Sequence, residues 1–255
     1  MRILISIDDT DQLKTDDKQE VISTGKLAGK IAETIQEKGW GTCEPVTRHQ
    51  LLVHPDVPYT SHNSSMCFIA ETETDVVPTI IDFISEFLEK ESAPGSDPGL
   101  CVAVIDRMTK PGWFISFGYQ AKNEVLNKDY AYGVAEELGV HLSEHGGTGD
   151  GVIGALAGAG LRLGGNDGRL RGKLKIKAEG EIVSVEEIRS QTYVEVVKSI
   201  DDGRVLEDKQ KVLLGDAVKA VMLDAKPVLL VTPLQNGDIL GASWQTCSKQ
   251  QLKGY

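Results

Sequence analysis

Three aspartates and a threonine near the start of the chain are the side chains most suited to chemistry. The run Asp8-Asp9-Thr10-Asp11 directly follows apolar residues 2–7, which the pattern predicts to be a buried strand. Three carboxylates within four residues repel one another unless a cation compensates them, and hard divalent cations prefer oxygen ligands. We therefore predict that Asp8, Asp9 and Asp11 hold Mg²⁺, with Asp9 catalytic and Thr10 beside the phosphates of a nucleotide. An acidic turn that caps a nearby helix is the structural alternative.

A second segment suited to phosphate binding is Ser23-Thr24-Gly25-Lys26, where the next helix is predicted to begin. Free amides at a helix start attract anions, and a hydroxyl and a lysine can both reach a phosphate. We predict that Lys26 contacts phosphate, with a hydroxyl of this segment beside it. The simple alternative, in which Ser23 or Thr24 is only a helix N-cap, stands equally well.

A glycine-rich segment is the third candidate. Residues 145–151 read HGGTGDG and directly precede the small-residue run VIGALAGAGLRL. Glycines allow the backbone to approach a ligand closely, and the amides of the following helix bind anions. We predict that Gly149, Asp150, Gly151 and Gly154 line a nucleotide site. Tight packing of a small-residue helix on a sheet is the structural explanation for the same residues.

A polar stretch at residues 58–65 (PYTSHNSS) lies between a proline-containing segment and a predicted strand. Such side chains can supply hydrogen bonds to a ligand, and Asn63 is the contact we predict there. An exposed turn is the structural alternative for this composition.

The elements that must position these segments alternate between strand-like and helix-like patterns. This alternation predicts an α/β to α+β fold with mixed sheets. Among the helices, the apolar spacing predicts one over residues 77–88 and another over residues 119–138, closed by Gly139. The alternating β-branched residues of 173–198 predict a hairpin or meander.

The charge of the chain bears on its partners. The 255 residues include 38 acidic and 27 basic ones, for a net charge of −11. Surfaces that grip nucleic acid are normally basic, so stable RNA binding by this chain alone is not expected. The alternating basic residues between Arg169 and Lys177 are interpreted as one solvated sheet face. An acidic protein suits a small, cationic second substrate.

The cysteines and the N-terminus bear on whether the chain is a zinc-binding, secreted or membrane protein. The cysteines are far apart and show no zinc-site spacing, at Cys43, Cys67, Cys101 and Cys247. The N-terminal apolar run is too short for a signal peptide, and no stretch has membrane-spanning length. We therefore expect a cytoplasmic protein with no membrane partner.

Taken together, the segments resemble the N-terminal half of the archaeal tRNA-isoleucine agmatidine synthetases. The resemblance rests, in chain order, on Ile7-Asp8-Asp9-Thr10-Asp11, Ser23-Thr24, His54-Pro55-Asp56-Val57-Pro58-Tyr59, Asp97-Pro98-Gly99, Gly149-Asp150-Gly151-Val152-Ile153-Gly154-Ala155-Leu156-Ala157 and, weakly, Pro227-Val228-Leu229. That family uses ATP to join agmatine to a tRNA cytidine. The first and the longest of these matches are the specific ones.

The resemblance implies a kinase-like domain, placed at residues 1–72, and a ferredoxin-like domain, placed at residues 73–255. It also implies that the three tip aspartates hold Mg²⁺ at the phosphates of ATP. Ser23 would match a threonine that becomes phosphorylated in the family, with Thr24 beside it, so the resemblance implies that both are catalytic. Gly149, Gly151 and Gly154 would shape the nucleotide pocket.

Several departures from the family pattern concern tRNA. We expect no counterpart of the family's oligonucleotide-binding fold and zinc ribbon, and by the resemblance Thr60, His62 and Asp150 replace basic residues. We therefore expect a Mg²⁺- and ATP-dependent phosphoryl- or adenylyl-transfer enzyme that acts on a small substrate. A non-catalytic nucleotide- or small-molecule-binding protein is one alternative. A tRNA-modification subunit with a separate RNA-binding partner is the other, and a homo-oligomer is also compatible with the sequence.

Overall fold

The computed structural model describes residues 1–11, 23–57, 63–178, 180–216, 218–234, 239 and 241–255. They divide into two units, Met1–Gly164 and Gly165–Tyr255. The predicted α/β to α+β class is confirmed, because helices and mixed strand pairings occur together. The division predicted after residue 72 does not coincide with this boundary, and the kinase-like and ferredoxin-like assignments stay predictions.

The first unit is built on an antiparallel sheet. Its strands are β1 (Arg2–Asp8), β2 (Gly41–Cys43), β3 (Thr47–Gln50), β4 (Ser64–Thr72), β5 (Gly99–Val104) and β6 (His141–Glu144). The order is β6-β5-β1-β4-β3, and β2 also pairs with β4. The register places Gly99 opposite both Asp8 and Glu144. The end of β1, the start of β5 and the end of β6 therefore meet at one end of the sheet.

Helices cover both faces of this sheet. They are α1 (Thr24–Glu37), α2 (Val77–Glu91), α3 (Pro111–Gln120), α4 (Lys128–Leu138) and α5 (Gly151–Gly164). Side chains of β1 alternate between the faces. Ile3, Ile5 and Ile7 pack with α1 and α2, whereas Leu4 packs with α3, α4 and α5. The apolar cores on the two faces hold β1 in the middle of the unit.

The predicted helix over residues 77–88 is confirmed as α2. The single helix predicted over residues 119–138 is wrong, because the chain forms α3 and α4 with a break between them. Asn127 caps α4, since its side chain accepts a hydrogen bond of 2.8 Å from the amide of Tyr130. This cap begins a new helix inside the apparently continuous pattern.

The second unit holds a mixed sheet. Its elements are β7 (Arg169–Leu170), β8 (Ile182–Ser184), α6 (Val185–Gln191), β9 (Val196–Ser199), β10 (Lys211–Leu213), β11 (Ala220–Leu223), β12 (Lys226–Pro233) and β13 (Trp244–Thr246). The order is β7-β11-β12-β13-β10-β8, with β9 parallel to β12. A core that includes Val212, Leu229 and Val231 stabilises this unit.

The hairpin or meander predicted over residues 173–198 is wrong, because helix α6 separates β8 from β9. Ser184 and Glu187 form a capping box at the start of α6, and Ile188 is buried. Local capping therefore outweighed the β-branched composition. Within the described ranges, no helix combines the length and the apolarity needed to cross a membrane.

Candidate functional site

The end of β1 lies against the start of α5. Asp8 shares the α5 face of the sheet with Leu4 and is only 7% exposed. A methyl group on Gly154 would overlap the carboxylate of Asp8, and one on Gly151 would press on the side chain of Asp9. The structure thus brings the acidic segment and the glycine-rich segment together. It also places Asp8 beside the first turn of α5, as the helix-capping alternative expects.

Two loops interlock beside this contact. The amide of Thr148 donates a hydrogen bond to Asp97 Oδ1, and the amide of His145 donates one of 2.8 Å to the carbonyl of Pro98. A methyl group on Gly99 would overlap the backbone of Gly151. The loop before β5 therefore carries Asp97 into the site; the sequence pointed to this residue only through the Asp97-Pro98-Gly99 match and predicted no role for it.

Five carboxylates gather here, and we call them the aspartate cluster: Asp8, Asp9, Asp11, Asp97 and Asp150. Burial, followed by the charge of Asp9, raises the pKa of Asp8 to about 8, and the amide of Asp9 opposes this shift without outweighing it. Burial, followed by the charges of Asp97, Asp11 and Asp150, raises the pKa of Asp9 to about 6. The charges that act on both groups are all negative, so the cluster favours a bound cation or proton.

The backbone at the cluster is unusual. Asp9 has a φ of 51°, in the left-handed region that residues other than glycine seldom adopt. The next residue, Thr10, is buried, and its carbonyl accepts a hydrogen bond of 3.0 Å from the amide of Ala93. Among the described residues its Oγ1 has no hydrogen-bond partner. Strain and an unpaired hydroxyl in one turn are features that occur often at binding sites.

The cluster offers Mg²⁺ the right kind of donor, because Mg²⁺ takes carboxylate oxygens and completes its shell with water and phosphate. A cation would also reverse the unfavourable charge that raises the pKa of Asp8 and Asp9. In the part of the chain that the structure describes, no group of three or more His, Cys, Asp or Glu side chains is arranged to hold a metal ion. The assignment of Asp8, Asp9 and Asp11 as metal ligands therefore stays a prediction.

The residues predicted at the start of α1 lie on the other face of the sheet. Ser23 is the N-cap of α1, since its Oγ accepts a hydrogen bond of 3.4 Å from the amide of Lys26. Thr24 is buried, and Lys26 is exposed. Because α1 leads into β2 at the Arg2 end of the sheet, its start points toward the Asp8 end. The N-cap alternative is observed, and the catalytic and phosphate roles stay predictions.

Asn63 makes contacts within the fold. Its side chain donates a hydrogen bond of 2.6 Å to the carbonyl of Leu52, and its own carbonyl accepts one of 2.9 Å from the amide of Leu51. These bonds join the start of β4 to the segment after β3. Its predicted contact with a ligand stays a prediction, and Thr60 and His62 lie outside the described residues.

Gly149 packs against a side chain that the sequence analysis missed. A methyl group there would overlap the carboxylate of Glu144, the last residue of β6. Lys128 and Tyr132 of α4 both contact that carboxylate. Lys128 and Tyr132 belong to α4 and Glu144 belongs to β6, and no shared motif joins these two elements, so no local sequence signal points to this contact.

The structure is similar to solved structures of proteins that act on tRNA. One is a tRNA fluorescent labeling enzyme, with 25% sequence identity and a TM-score of 0.51, covering 63% of this chain and 36% of that one. Another is the isoleucine-tRNA agmatidine synthetase TiaS in its apo form, at 23% identity and a TM-score of 0.50, covering 63% and 35%. A third is that synthetase with its tRNA, AMPCPP and agmatine, at 22% identity and a TM-score of 0.50, covering 73% and 43%.

The similarity to agmatidine synthetase shows a shared fold, as the sequence resemblance implied. The chain spans less than half the length of each of these proteins. No protein-family profile and no curated protein sequence matches the chain.

Proposed function

We propose that this chain binds a nucleotide together with Mg²⁺ at the aspartate cluster and transfers a phosphoryl or adenylyl group to a small, cationic substrate. One observation carries the proposal: the acidic end of β1 lies in contact with the glycine-rich start of α5. The charges that raise the pKa of Asp8 and Asp9 are negative and favour a cation, and the start of a helix favours phosphate. The fold shared with agmatidine synthetase, which has been crystallised with its tRNA and ATP, is consistent with this function.

The residues of the chain have distinct parts in this proposal. Asp8, Asp9 and Asp11 hold Mg²⁺, which neutralises phosphate charge and orients the transferred group. Gly149, Gly151 and Gly154 leave the backbone open, so that its amides and the start of α5 can approach the phosphates. Asp150 and Thr10 are the other residues proposed to lie beside the phosphates. Asp8 packs on the start of α5, where the phosphates are also proposed to bind. The carboxylate of Asp8 and the phosphates are both negative, and the bound cation would offset the repulsion between these two groups.

The cationic substrate follows from the same electrostatics. Asp97 and Asp150 add negative charge beyond the three proposed metal ligands, and a negatively charged site concentrates cations. Asp9 is the proposed catalytic carboxylate, because it lies beside Asp97 and Asp150 and, as a ligand of Mg²⁺, would help to orient the transferred group. Ser23 and Thr24 are the proposed acceptors of a phosphoryl group in a covalent intermediate, by resemblance alone.

Calorimetric titration of ATP with Mg²⁺ into the wild type and the Asp9→Asn variant tests the proposal. We expect the variant to lose about tenfold or more in affinity, because a carboxylate that holds the cation is gone. Asp75→Asn is the matched control, since Asp75 is an exposed aspartate of the same unit. Absence of binding in the wild type would end the proposal. Release of ADP or AMP identifies the transferred group, and binding without release supports the non-catalytic alternative.

A second candidate is tRNA modification beside a separate RNA-binding chain. It is favoured by the fold shared with a tRNA fluorescent labeling enzyme, and the net charge of −11 explains why a basic partner would be needed. Purification of the protein from its native cells tests this candidate. Copurification of tRNA with a basic protein supports it, whereas full activity on a small substrate without RNA contradicts it.

A further inference from the structure

The peptide group of Thr148, in the middle of the glycine-rich loop, is held from both sides. Lys128 Nζ donates a hydrogen bond of 2.7 Å to the carbonyl of Thr148, and the amide of Thr148 donates one to Asp97. Lys128 belongs to the first turn of α4, and Asp97 belongs to the loop before β5. The loop is therefore anchored to two separate elements at a single residue.

The same lysine belongs to a larger contact. Lys128 Nζ also donates a hydrogen bond of 3.1 Å to Glu144 Oε2, and the hydroxyl of Tyr132 donates one of 3.0 Å to Glu144 Oε1. Lys128 and Tyr132 are four residues apart on α4, so both side chains lie on one side of the helix. Glu144 in turn packs on Gly149, where a methyl group would overlap its carboxylate. We call Lys128, Tyr132 and Glu144 the loop brace.

The geometry of the loop explains why a brace matters. Gly147 and Gly149 have φ values of 58° and 81°, which glycine adopts readily but does not by itself prefer over other conformations. Fixing each such residue costs backbone entropy when a ligand orders it. Anchoring the loop beforehand lowers that cost and improves binding. The lysine–glutamate contact is partly exposed, so its effect on overall stability is small.

We infer that Lys128, Tyr132 and Glu144 are positioning residues, which hold the glycine-rich loop in its binding conformation before a ligand arrives. The inference rests on the proposed function for the identity of the ligand, a nucleotide phosphate. The brace itself is a property of the free chain. It touches the loop at Thr148 and Gly149, next to the start of α5.

Hydrogen exchange and nucleotide titration together test the brace in the Lys128→Met variant. We expect exchange at the amides of residues 148–151 to become about tenfold faster or more, because the loop opens locally. We also expect the affinity for ATP with Mg²⁺ to fall about tenfold while exchange in β1 stays unchanged. Lys128→Arg should restore both, and Tyr132→Phe, which removes a single hydroxyl, should give a smaller change of the same kind.

The matched control is Lys110→Met. Lys110 contacts Glu137 of α4 at 2.9 Å, and both side chains are about half exposed, but the pair is not part of the loop brace. This variant should change neither the exchange of the loop nor the affinity. An equal effect of Lys110→Met would show a general loss of α4 stability and would overturn the inference.

The two measurements separate the brace from the proposed function. Unchanged exchange in Lys128→Met overturns the brace, whatever the wild type binds. Faster exchange with unchanged affinity, in a wild type that does bind ATP, overturns the positioning role. Faster exchange that Lys128→Arg reverses supports the brace even when the wild type binds no nucleotide, and that result defeats the proposed function alone.

Discussion

The two units of the chain differ in how fully their polar groups are compensated. Residues 1–164 contain 25 acidic and 13 basic residues, whereas residues 165–255 contain 13 and 14. Within the described residues, the buried side-chain atoms without a hydrogen-bond partner all lie in the first unit, at Ser6, Thr10, Ser65, Ser92, His145 and Arg162. A protein usually tolerates such groups where function requires them. The comparison therefore favours the first unit as the place of the candidate chemistry.

The largest expected effect compares one arginine–carboxylate contact in each unit. Arg162 contacts Glu44 at 2.6 Å with its own side chain 2% exposed, whereas Arg189 contacts Asp208 at 2.9 Å with its side chain 50% exposed. Glu44→Gln leaves a buried guanidinium without a countercharge, so we expect a loss of about 3 kcal/mol in the free energy of unfolding. Asp208→Asn should cost less than about 1 kcal/mol. Urea unfolding measures both, and equal losses would remove the electrostatic contrast between the units.

The second prediction tests the contact between β1 and α5. Gly154→Ala adds a methyl group that overlaps the carboxylate of Asp8, so we expect it to destabilise the protein by roughly 2 kcal/mol through overpacking. Gly133→Ala in α4 is the control, because open space surrounds Gly133, and it should stabilise by up to about 1 kcal/mol. Urea unfolding of both variants is the measurement. A stabilising Gly154→Ala would show that the acidic segment and α5 are not in contact.

A third prediction concerns pH in the metal-free protein. The pKa of Asp8 is about 8 in the folded chain against an ordinary value of 3.8. The folded state thus binds more protons between these values, and the resulting stability is complete below about pH 4 and is lost as the pH rises through about 8. We expect the free energy of unfolding to fall by up to about 1.4 kcal/mol for each pH unit within this window. Unfolding in a chelating buffer measures it, and Asp8→Asn should flatten the profile; an unchanged profile would contradict the shift.

The smallest effect belongs to the second unit. Arg171, Lys173, Lys175 and Lys177 are exposed, while Leu174 and Ile176 between them pack toward the core. Replacing each basic residue by glutamine should change the free energy of unfolding by less than about 0.5 kcal/mol. Mobility shift with tRNA at low and physiological salt is the second measurement. If the wild type binds tRNA strongly and the four replacements abolish that binding, the interpretation of these residues as a solvated face is wrong. The second unit would then have a function in RNA binding.

Elements with strong local signals were predictable. The strand before Asp8, the N-cap at Ser23 and the apolar spacing of α2 depend only on neighbouring residues, and all three are confirmed. The break between α3 and α4 was missed because residues 121–127 contain no glycine or proline that would mark the end of a helix, and Asn127 begins α4 as its cap. The capping box of Ser184 was missed for a related reason, since its β-branched neighbours suggested strand.

The same distinction between local sequence signals and tertiary packing applies to the candidate site. The types of side chain at Asp8, Asp9 and Asp11, and the glycines of residues 149–154, are readable from the chain because carboxylates and open backbone have intrinsic chemistry. That they meet depends on Asp8 lying opposite Gly99 and Gly99 lying opposite Glu144. This register is set by core packing between residues far apart in the chain, which no local pattern encodes. The places of Asp97, Lys128 and Glu144 beside the glycine-rich loop therefore emerge only once the strands are paired.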